Sequence, residues 1–494
     1  MKAIIVALRP WILLAASVLA VFWGVLAAPF HYDDFALLLD PIITSPSGWL
    51  ECFRLEQTRP LTWLSFWLNF QLSGANPAPW HALNLALHLI NALLLWTSFQ
   101  ALLPGRASWF AAFFFALHPI QVESVAYIYA RGILLATLFC LITLRLWIAG
   151  RRWQAIVAFA LALLSKEECA AFPVFLLLLH FSTDRNPKER VPIAAMLVLS
   201  LAAVGRVAWM AAAIPGSGAG AQSGISPHAY FLTQGIALWR YLRLIVIPTG
   251  FSFEPGITVD TGWLAIAAWF GIAALAYLAT RYFARAGAGF WFLSALILIA
   301  PTSSIFPASD LAADRRLYLP MIALSSAAGL LLRRTDYPRL LWAGAVVLGM
   351  FSYVRVDVWR SPEGLWEDAL RSAPAAVRPR IQLSRIRTAK EALVILEEAT
   401  NIAPNDPSVA SELGRVYMQL EQPGEALKEF GRALALAPRD PMAHNNRGAA
   451  LLALGIRDHA EQDFRRALEL DPCLRQAREN LARMNLGVDT PCKR

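Results

Sequence analysis

The sequence predicts an all-α protein in two parts, a polytopic bundle of about eleven membrane-spanning helices followed by a short solenoid of helical repeats. Three observations carry that prediction. Long apolar runs fill residues 1–358, charged residues concentrate in residues 360–494, and the second stretch repeats itself with a fixed period. Of the 494 residues, 57% are hydrophobic and only 16% are charged, well under the quarter or so of a typical soluble protein. Much of the surface must therefore face lipid. The change of composition falls at Trp359 and separates a membrane part, 1–358, from a polar helical part, 360–494.

The first apolar run, Pro10 to Phe30, follows Lys2 and is about 20 residues long, enough to cross a bilayer. Leu26-Ala27-Ala28 resembles a leader cleavage site, but a run of this length reads as a retained first span. Further runs suited to helices lie at 81–103, 108–128, 132–149, 153–165, 168–181, 191–213, 262–280, 288–306, 317–332 and 338–357. The two between 153 and 181 are short, so tilt, local thinning or burial must make up their length. With Lys2 and Arg9 cytoplasmic, alternation brings Arg106, Arg151, Arg152, Arg185, Lys188, Arg190, Arg281, Arg285, Arg333, Arg334 and Arg339 to the same side. That is the positive-inside distribution. An odd number of spans then leaves the C-terminal part outside.

Residues 229–249 depart from this scheme because they contain Arg240 and Arg243. A crossing there would invert everything downstream, so the segment reads as an interfacial or re-entrant helix on the outer side. The Gly/Ser-rich loop 214–228 reads as mobile. The net charge of +9 sits largely in the short turns rather than on one basic face with stacking aromatics, so nucleic acid is not an implied partner.

In the polar part, Ala403-Pro404, Ala437-Pro438 and Asp471-Pro472 recur every 34 residues, as do Ala392, Ala426 and Ala460. Gly414 and Gly448 keep that period, and so do Phe430 and Phe464. Small residues let paired helices approach, aromatics fill the gaps between them, and proline stops the second helix of each pair. This is the tetratricopeptide (TPR) signature. Two full repeats follow a shortened one, and 474–486 reads as a capping helix. Such an array binds partners or braces a neighbour. Of five cysteines, at 52, 140, 169, 473 and 492, none has metal-ligand spacing. Cys473 and Cys492 flank the last helix and are either a disulfide, if that part lies outside, or two free thiols.

Away from the basic turns, the remaining charges of the membrane part gather on the outer side, where charges near apolar spans are costly and usually functional. Asp33 and Asp34 follow the first span and open the first outer loop, 30–80; adjacent carboxylates repel, so one has a raised pKa or binds a cation. The alternative is a solvated loop or a helix cap. Arg59-Pro60-Leu61-Thr62 precedes Trp63, Phe66, Trp67 and Phe70, which suits an interfacial helix or an aromatic belt. His118 and Glu123 sit at a helix end, where His118 is a catalyst or a capped histidine. Lys166 and Glu167 turn between the two short spans. Arg315 and Arg316, beside Asp314, break the positive-inside rule, and an anion such as a lipid phosphate would account for that departure.

Taken in order, Tyr32-Asp33-Asp34, Arg59-Pro60-Leu61-Thr62, His81-Ala82-Leu83-Asn84 with His88 and Asn91, Leu117-His118-Pro119 with Glu123, Ser165-Lys166-Glu167 and Arg315-Arg316-Leu317-Tyr318-Leu319-Pro320, followed by repeats, resemble the TMTC-type proteins and their bacterial relatives. These are membrane glycosyltransferases of the GT-C class that end in TPR repeats. The chain departs from the family pattern, which has a Glu-Arg or similar pair before Tyr-Leu-Pro, in reading Asp314-Arg315-Arg316.

The resemblance implies a polyprenyl- or dolichyl-phosphate-linked sugar as donor and a hydroxyl acceptor, commonly a protein Ser or Thr, for which the TPR domain is a candidate docking site. It also implies an acidic catalytic residue in the first outer loop, which falls on Asp33 or Asp34. The expected mechanism is a single inverting displacement with one of these carboxylates as base. Arg315, Arg316, Arg131 and Lys166 are then expected on the donor phosphate. Glu123, His118 and Arg59 are expected to position the acceptor or a divalent cation. The compact chain with few repeats suggests a bacterial inner membrane, with the N-terminus cytoplasmic and the TPR domain periplasmic. Two other readings use the same features: a non-catalytic membrane-anchored TPR scaffold, and a ligase or polymerase of lipid-linked glycans.

Overall fold

The computed structural model describes residues 2–54, 57–182, 187–213, 224–283, 287–303, 305–332, 338–487 and 492. Among them every regular element is helical, and the chain divides into two units, Met1–Pro362 and Glu363–Arg494. The basic residues Arg185, Arg285, Arg333 and Arg334, and most of the loop 214–228, lie outside the described residues.

In the first unit each of the eleven apolar runs contains a helix, from Lys2–Phe22 and Pro77–Leu102 through to Met321–Leu332 and Pro338–Val358. Among the described residues five helices are long and apolar enough to cross a membrane. A sixth counts if Arg106–Leu117 and Pro119–Ala126, bent by 46°, form one span. The bend falls at His118-Pro119, where proline disfavours a helical conformation in the residue before it. The two short runs are the helices Arg152–Ser165 and Phe172–Ser182, 14 and 11 residues long. At 1.5 Å per residue neither reaches the roughly 30 Å of a hydrocarbon core.

Several helices turn apolar side chains outward, among them Trp263, Phe270 and Tyr277 on Trp263–Thr280. A helix this apolar on its outer face requires lipid around it, and the protein is a membrane protein. Residues 229–246 lie in one unbroken helix, Pro227–Val246, and 247–249 follow it as non-helical chain.

The first outer loop is packed rather than solvated. Short helices Asp34–Leu39, Pro41–Thr44 and Gly48–Glu51 lead into Pro60–Ser73. Phe30, Leu37, Ile43, Phe66, Trp80 and Ile128 form one buried cluster beneath them.

The second unit contains three helix pairs, Val377–Ile386 with Ala389–Ile402, Pro407–Gln419 with Pro423–Leu436, and Pro441–Ala453 with Arg457–Leu470, closed by Arg475–Arg483. Asp406 and Asp440 cap the first helices of the two full repeats by accepting backbone N–H bonds of 2.8 Å, each followed by proline in the first helical turn. A Cβ on Gly414 would lie 2.6 Å from the Phe430 ring and one on Gly448 2.8 Å from Phe464, so the periodic glycines are there to admit the periodic aromatics. Cys473 and Cys492 are joined in a disulfide, with Cα atoms 4.8 Å apart. Cys52, Cys140 and Cys169 are free and buried.

Candidate functional site

Two motifs more than a hundred residues apart are locked together in the membrane unit. Arg59 grips Glu167 with both arms of its guanidinium, Nε donating to Oε2 at 2.9 Å and Nη2 to Oε1. The Thr62 hydroxyl donates to the Ser165 carbonyl at 2.7 Å. Gly132 allows this approach, since a Cβ there would stand 3.3 Å from both Ser165 O and Thr62 Oγ1. Burial alone would raise the Glu167 carboxyl, but the charge and hydrogen bonds of Arg59 outweigh it and hold the group at about 2. Lys166 turns the other way and pairs with Glu168 at 2.8 Å. Burial pulls its amine below the usual value, against the attraction of Glu168.

The two adjacent carboxylates have different surroundings. Asp34 is fully buried. Its Oδ2 accepts the His31 backbone N–H at 3.0 Å and its Oδ1 that of Tyr129 at 2.8 Å. Burial pushes its carboxyl up to about 7, and repulsion from Asp33 adds only a smaller share. Desolvation, not like charge, dominates the rise expected from sequence. Asp33 is half-buried, and the Tyr127 hydroxyl donates to its Oδ2 at 2.7 Å. The preceding Tyr32 adopts a φ of +45°, unusual for a residue with a side chain.

Tyr127 also links Asp33 to the arginine pair. The Arg315 guanidinium carbon lies 5.8 Å from the centroid of the Tyr127 ring. Arg315 bridges two carboxylates, donating to Glu123 at 2.6 Å and to Asp310 at 3.0 Å. Burial works against its charge, but these two neighbours more than offset it and raise the pKa. Its side chain keeps 21% of its surface exposed. Arg316 points elsewhere, into the protein, where the carbonyls of Thr302, Asp310 and Leu311 and the Tyr230 hydroxyl accept its hydrogen bonds. Asp314 is engaged by Arg240 and accepts the Ser252 N–H at 3.4 Å. That ion pair explains one of the arginines that disturbed the reading of 229–249.

Several expected site residues are structural. Arg131 is fully buried, donating to Asn84 at 2.8 Å, Trp80 O at 3.1 Å and Ser65 O at 3.2 Å, with its guanidinium over Phe66 at 4.8 Å. It braces the first outer loop and has no face left for a donor phosphate. Arg316 is likewise committed to carbonyls, which corrects its expected phosphate role. His118 is a cap: Nδ1 accepts the Ile120 N–H at 3.2 Å, so Nε2 carries the proton and donates to Ile245 O at 3.3 Å. With both nitrogens used, and Glu123 held by Arg315, this pair does not fit a divalent cation. Among the described residues no group of three or more His, Cys, Asp and Glu side chains is arranged to hold a metal. Arg59 positions Glu167.

His88 and Asn91 bond the hydroxyl of Tyr318, at 2.8 and 3.3 Å. With His81 and Asn84 they form one buried polar stripe on the helix Pro77–Leu102, at spacings of three and four residues. Tyr127 escaped the sequence reading, and Trp359 entered it only as the boundary between the two parts. Tyr127 carries no charge itself, and only its place beside Asp33 marks it.

The fold and this cluster define the class, a polytopic helical membrane protein with a buried charged site at one end of its bundle and a C-terminal TPR array. Residues 414–455 match the family described as TPR repeat, and residues 441–472 match the tetratricopeptide repeat family. Over about a quarter to a third of its length the chain is similar to TMTC proteins. It is 32% identical over 143 residues to Protein O-mannosyl-transferase TMTC3 of Mus musculus, covering 26% of this chain and 16% of that protein. It is 34% identical over 146 residues to Protein O-mannosyl-transferase TMTC2 of Homo sapiens, covering 26% and 17%. With Protein O-mannosyl-transferase F38B6.6 of Caenorhabditis elegans it shares 27% over 177 residues, covering 32% and 26%. The chain thus spans 16 to 26% of the length of these relatives. Among solved structures, the first TPR of Spaghetti (RPAP3) bound to an HSP90 peptide covers 22% of this chain at 23% identity and a TM-score of 0.22.

Proposed function

We propose that the protein is a membrane glycosyltransferase that moves a sugar from a polyprenyl-phosphate donor to a hydroxyl group of a protein on the extracytoplasmic face. The observation that carries the reading is the meeting of Asp33 and Arg315 on Tyr127. A half-buried carboxylate able to take a proton then stands beside a cation able to steady a leaving phosphate. The name shared by its relatives, protein O-mannosyl-transferase, supports the same reaction class and suggests mannose.

In this mechanism the acceptor oxygen attacks the anomeric carbon while its proton passes to the Asp33 carboxylate. The bond between that carbon and the phosphate oxygen breaks, its electron pair leaves on the phosphate, and configuration inverts. Arg315 stabilises the departing charge in a low-dielectric setting. Lys166 stands close enough to feel Arg315 and contributes to the same field. Asp33 is the base rather than Asp34, because both oxygens of Asp34 are already held by backbone N–H groups. The TPR unit receives the protein acceptor.

One observation favours the scaffold reading: Arg59, Lys166 and Arg315 already have carboxylate partners, so a phosphate must displace or share one. The test is purified protein in nanodiscs with polyprenyl-phosphate mannose and a Ser/Thr-rich acceptor. Wild type should transfer hexose, seen by mass spectrometry of the acceptor, and Asp33→Asn and Arg315→Gln should not. Equal transfer by wild type and Asp33→Asn would remove the base assignment. An added mass of a whole glycan would move the protein to the ligase class.

A further inference from the structure

We infer that Trp359 is a positioning residue for the Asp33 carboxylate, acting through Tyr127. The inference rests on the glycosyl-transfer reading above. Trp359 ends the last membrane helix, Pro338–Val358, three residues before the unit closes at Pro362, and it is fully buried. Its indole lies 6.0 Å from the Tyr127 ring at an interplanar angle of 34°. Phe253 stands edge-on to both, 5.7 Å from Trp359 and 5.3 Å from Tyr127. Tyr127 is thus enclosed by Trp359, Phe253 and the Arg315 guanidinium. A phenol hydroxyl moves with its ring, so the 2.7 Å bond to Asp33 is kept by whatever fixes the ring plane.

The main chain of Trp359 secures the other side of the same segment. His31 Nε2 donates to the Trp359 carbonyl at 2.7 Å, while the His31 backbone N–H donates to Asp34. Tyr32 and Asp33 are therefore held from both directions by one residue, through its ring on Tyr127 and through its carbonyl on His31. The strained backbone at Tyr32 is the kind of conformation that persists only under such over-determination. A tryptophan that merely filled core volume would affect folding and nothing else.

The experiment compares Trp359→Phe, Trp359→Leu, Tyr127→Phe and the double variant Trp359→Leu/Tyr127→Phe in nanodiscs. Trp359→Leu should lower kcat by about tenfold or more with the donor KM unchanged. It should also move the acidic limb of the pH profile upward, since losing the phenol bond favours protonated Asp33. The titratable and charged groups around Asp33 include Tyr127, Tyr129, Asp34 and Arg315, so the limb is compared with those of Asp34→Asn and Arg315→Gln. Trp359→Phe should recover most of the rate, and Trp359→Leu should add little in the Tyr127→Phe background.

Fully additive losses, or an unmoved acidic limb in a folded Trp359→Leu protein, would overturn the positioning role and leave the proposed reaction standing. A wild type without any transfer would instead remove the reaction. Infrared titration of the carboxylates then decides the positioning alone: Trp359→Leu and Tyr127→Phe should shift the same band, and a shift in Tyr127→Phe only would refute it.

Discussion

Asp33 and Asp34 are neighbours in sequence that should fail in opposite ways. Asp34 accepts the N–H groups of His31 and Tyr129 in a fully buried place. Asp34→Ala orphans both, and each buried unpaired donor costs about 1–3 kcal/mol. The expected loss is then about 2–6 kcal/mol, and about half that for Asp34→Asn, whose amide can still accept one of the two bonds. Asp33 is half-buried and receives the Tyr127 hydroxyl. Asp33→Ala orphans one buried donor, the Tyr127 hydroxyl, and should cost about 1–3 kcal/mol, half the Asp34→Ala loss. Melting followed by tryptophan fluorescence in nanodiscs separates the two, with sugar transfer measured on the same samples. Asp33→Asn should melt near wild type and lose turnover. Asp34→Asn should melt several degrees lower yet retain turnover at a temperature where it remains folded. Equal destabilisation by the two alanine variants would refute the stability argument, and a catalytic loss confined to Asp34→Asn would reverse the assignment.

The raised pKa of Asp34 gives a second prediction. Burial lifts it from 3.8 to about 7, so the folded protein keeps a proton that the unfolded chain releases, and this group's contribution to stability falls as pH climbs between those values. Relative to wild type, Asp34→Asn should therefore gain stability across that window in a series of melts, and a constant difference would contradict the raised value. For Glu167 the sign is the reverse, because its folded pKa of about 2 lies below the ordinary value of 4.5. The stabilisation is present at neutral pH and is lost as pH falls toward 2. A double-mutant cycle of Arg59→Met and Glu167→Gln should give a coupling of about 0.5–3 kcal/mol; zero coupling would deny the pair any structural role. In the repeat unit, the Cys473–Cys492 link closes a separation of 19 residues, a loop worth about 3 kcal/mol. Reduction should lower that unit's melting temperature and free two thiols beyond Cys52, Cys140 and Cys169, whereas five labelled thiols in unreduced, denatured protein would exclude the bond. Gly448→Ala would press a Cβ to 2.8 Å from Phe464 and should cost about 1–3 kcal/mol by overpacking, unlike Gly431→Ala, which meets nothing within 4 Å.

What could be read from the sequence divides along a physical line. Period and hydropathy are local, so the 34-residue repeats, the proline stops and the apolar runs translated directly into helices such as Pro423–Leu436 and Trp263–Thr280. Some of the ordered motifs also come together in the fold, since Arg59 pairs with Glu167 and Arg315 lies against Tyr127, which bonds Asp33. The role of each charge was not legible, because it depends on partners remote in sequence. Arg131 and Arg315 look alike as isolated arginines near apolar spans, yet one is sealed among Asn84, Ser65 and Trp80 and the other keeps part of its surface open. His118 carries the same ring as any general base, but two backbone groups occupy it. Tyr127 carries no charge at neutral pH and so left no trace in a search for charges, although it joins the acid to the cation. A buried charge must be paired or hydrogen-bonded wherever it occurs, so charge next to an apolar run identifies a place of high electrostatic cost without distinguishing brace from catalyst. That distinction comes from which polar faces remain after the fold has taken its share. Here Asp33 and Arg315 retain accessible surface while Asp34, Arg131 and His118 do not, and this is why the same two residues bear the weight of the proposed reaction.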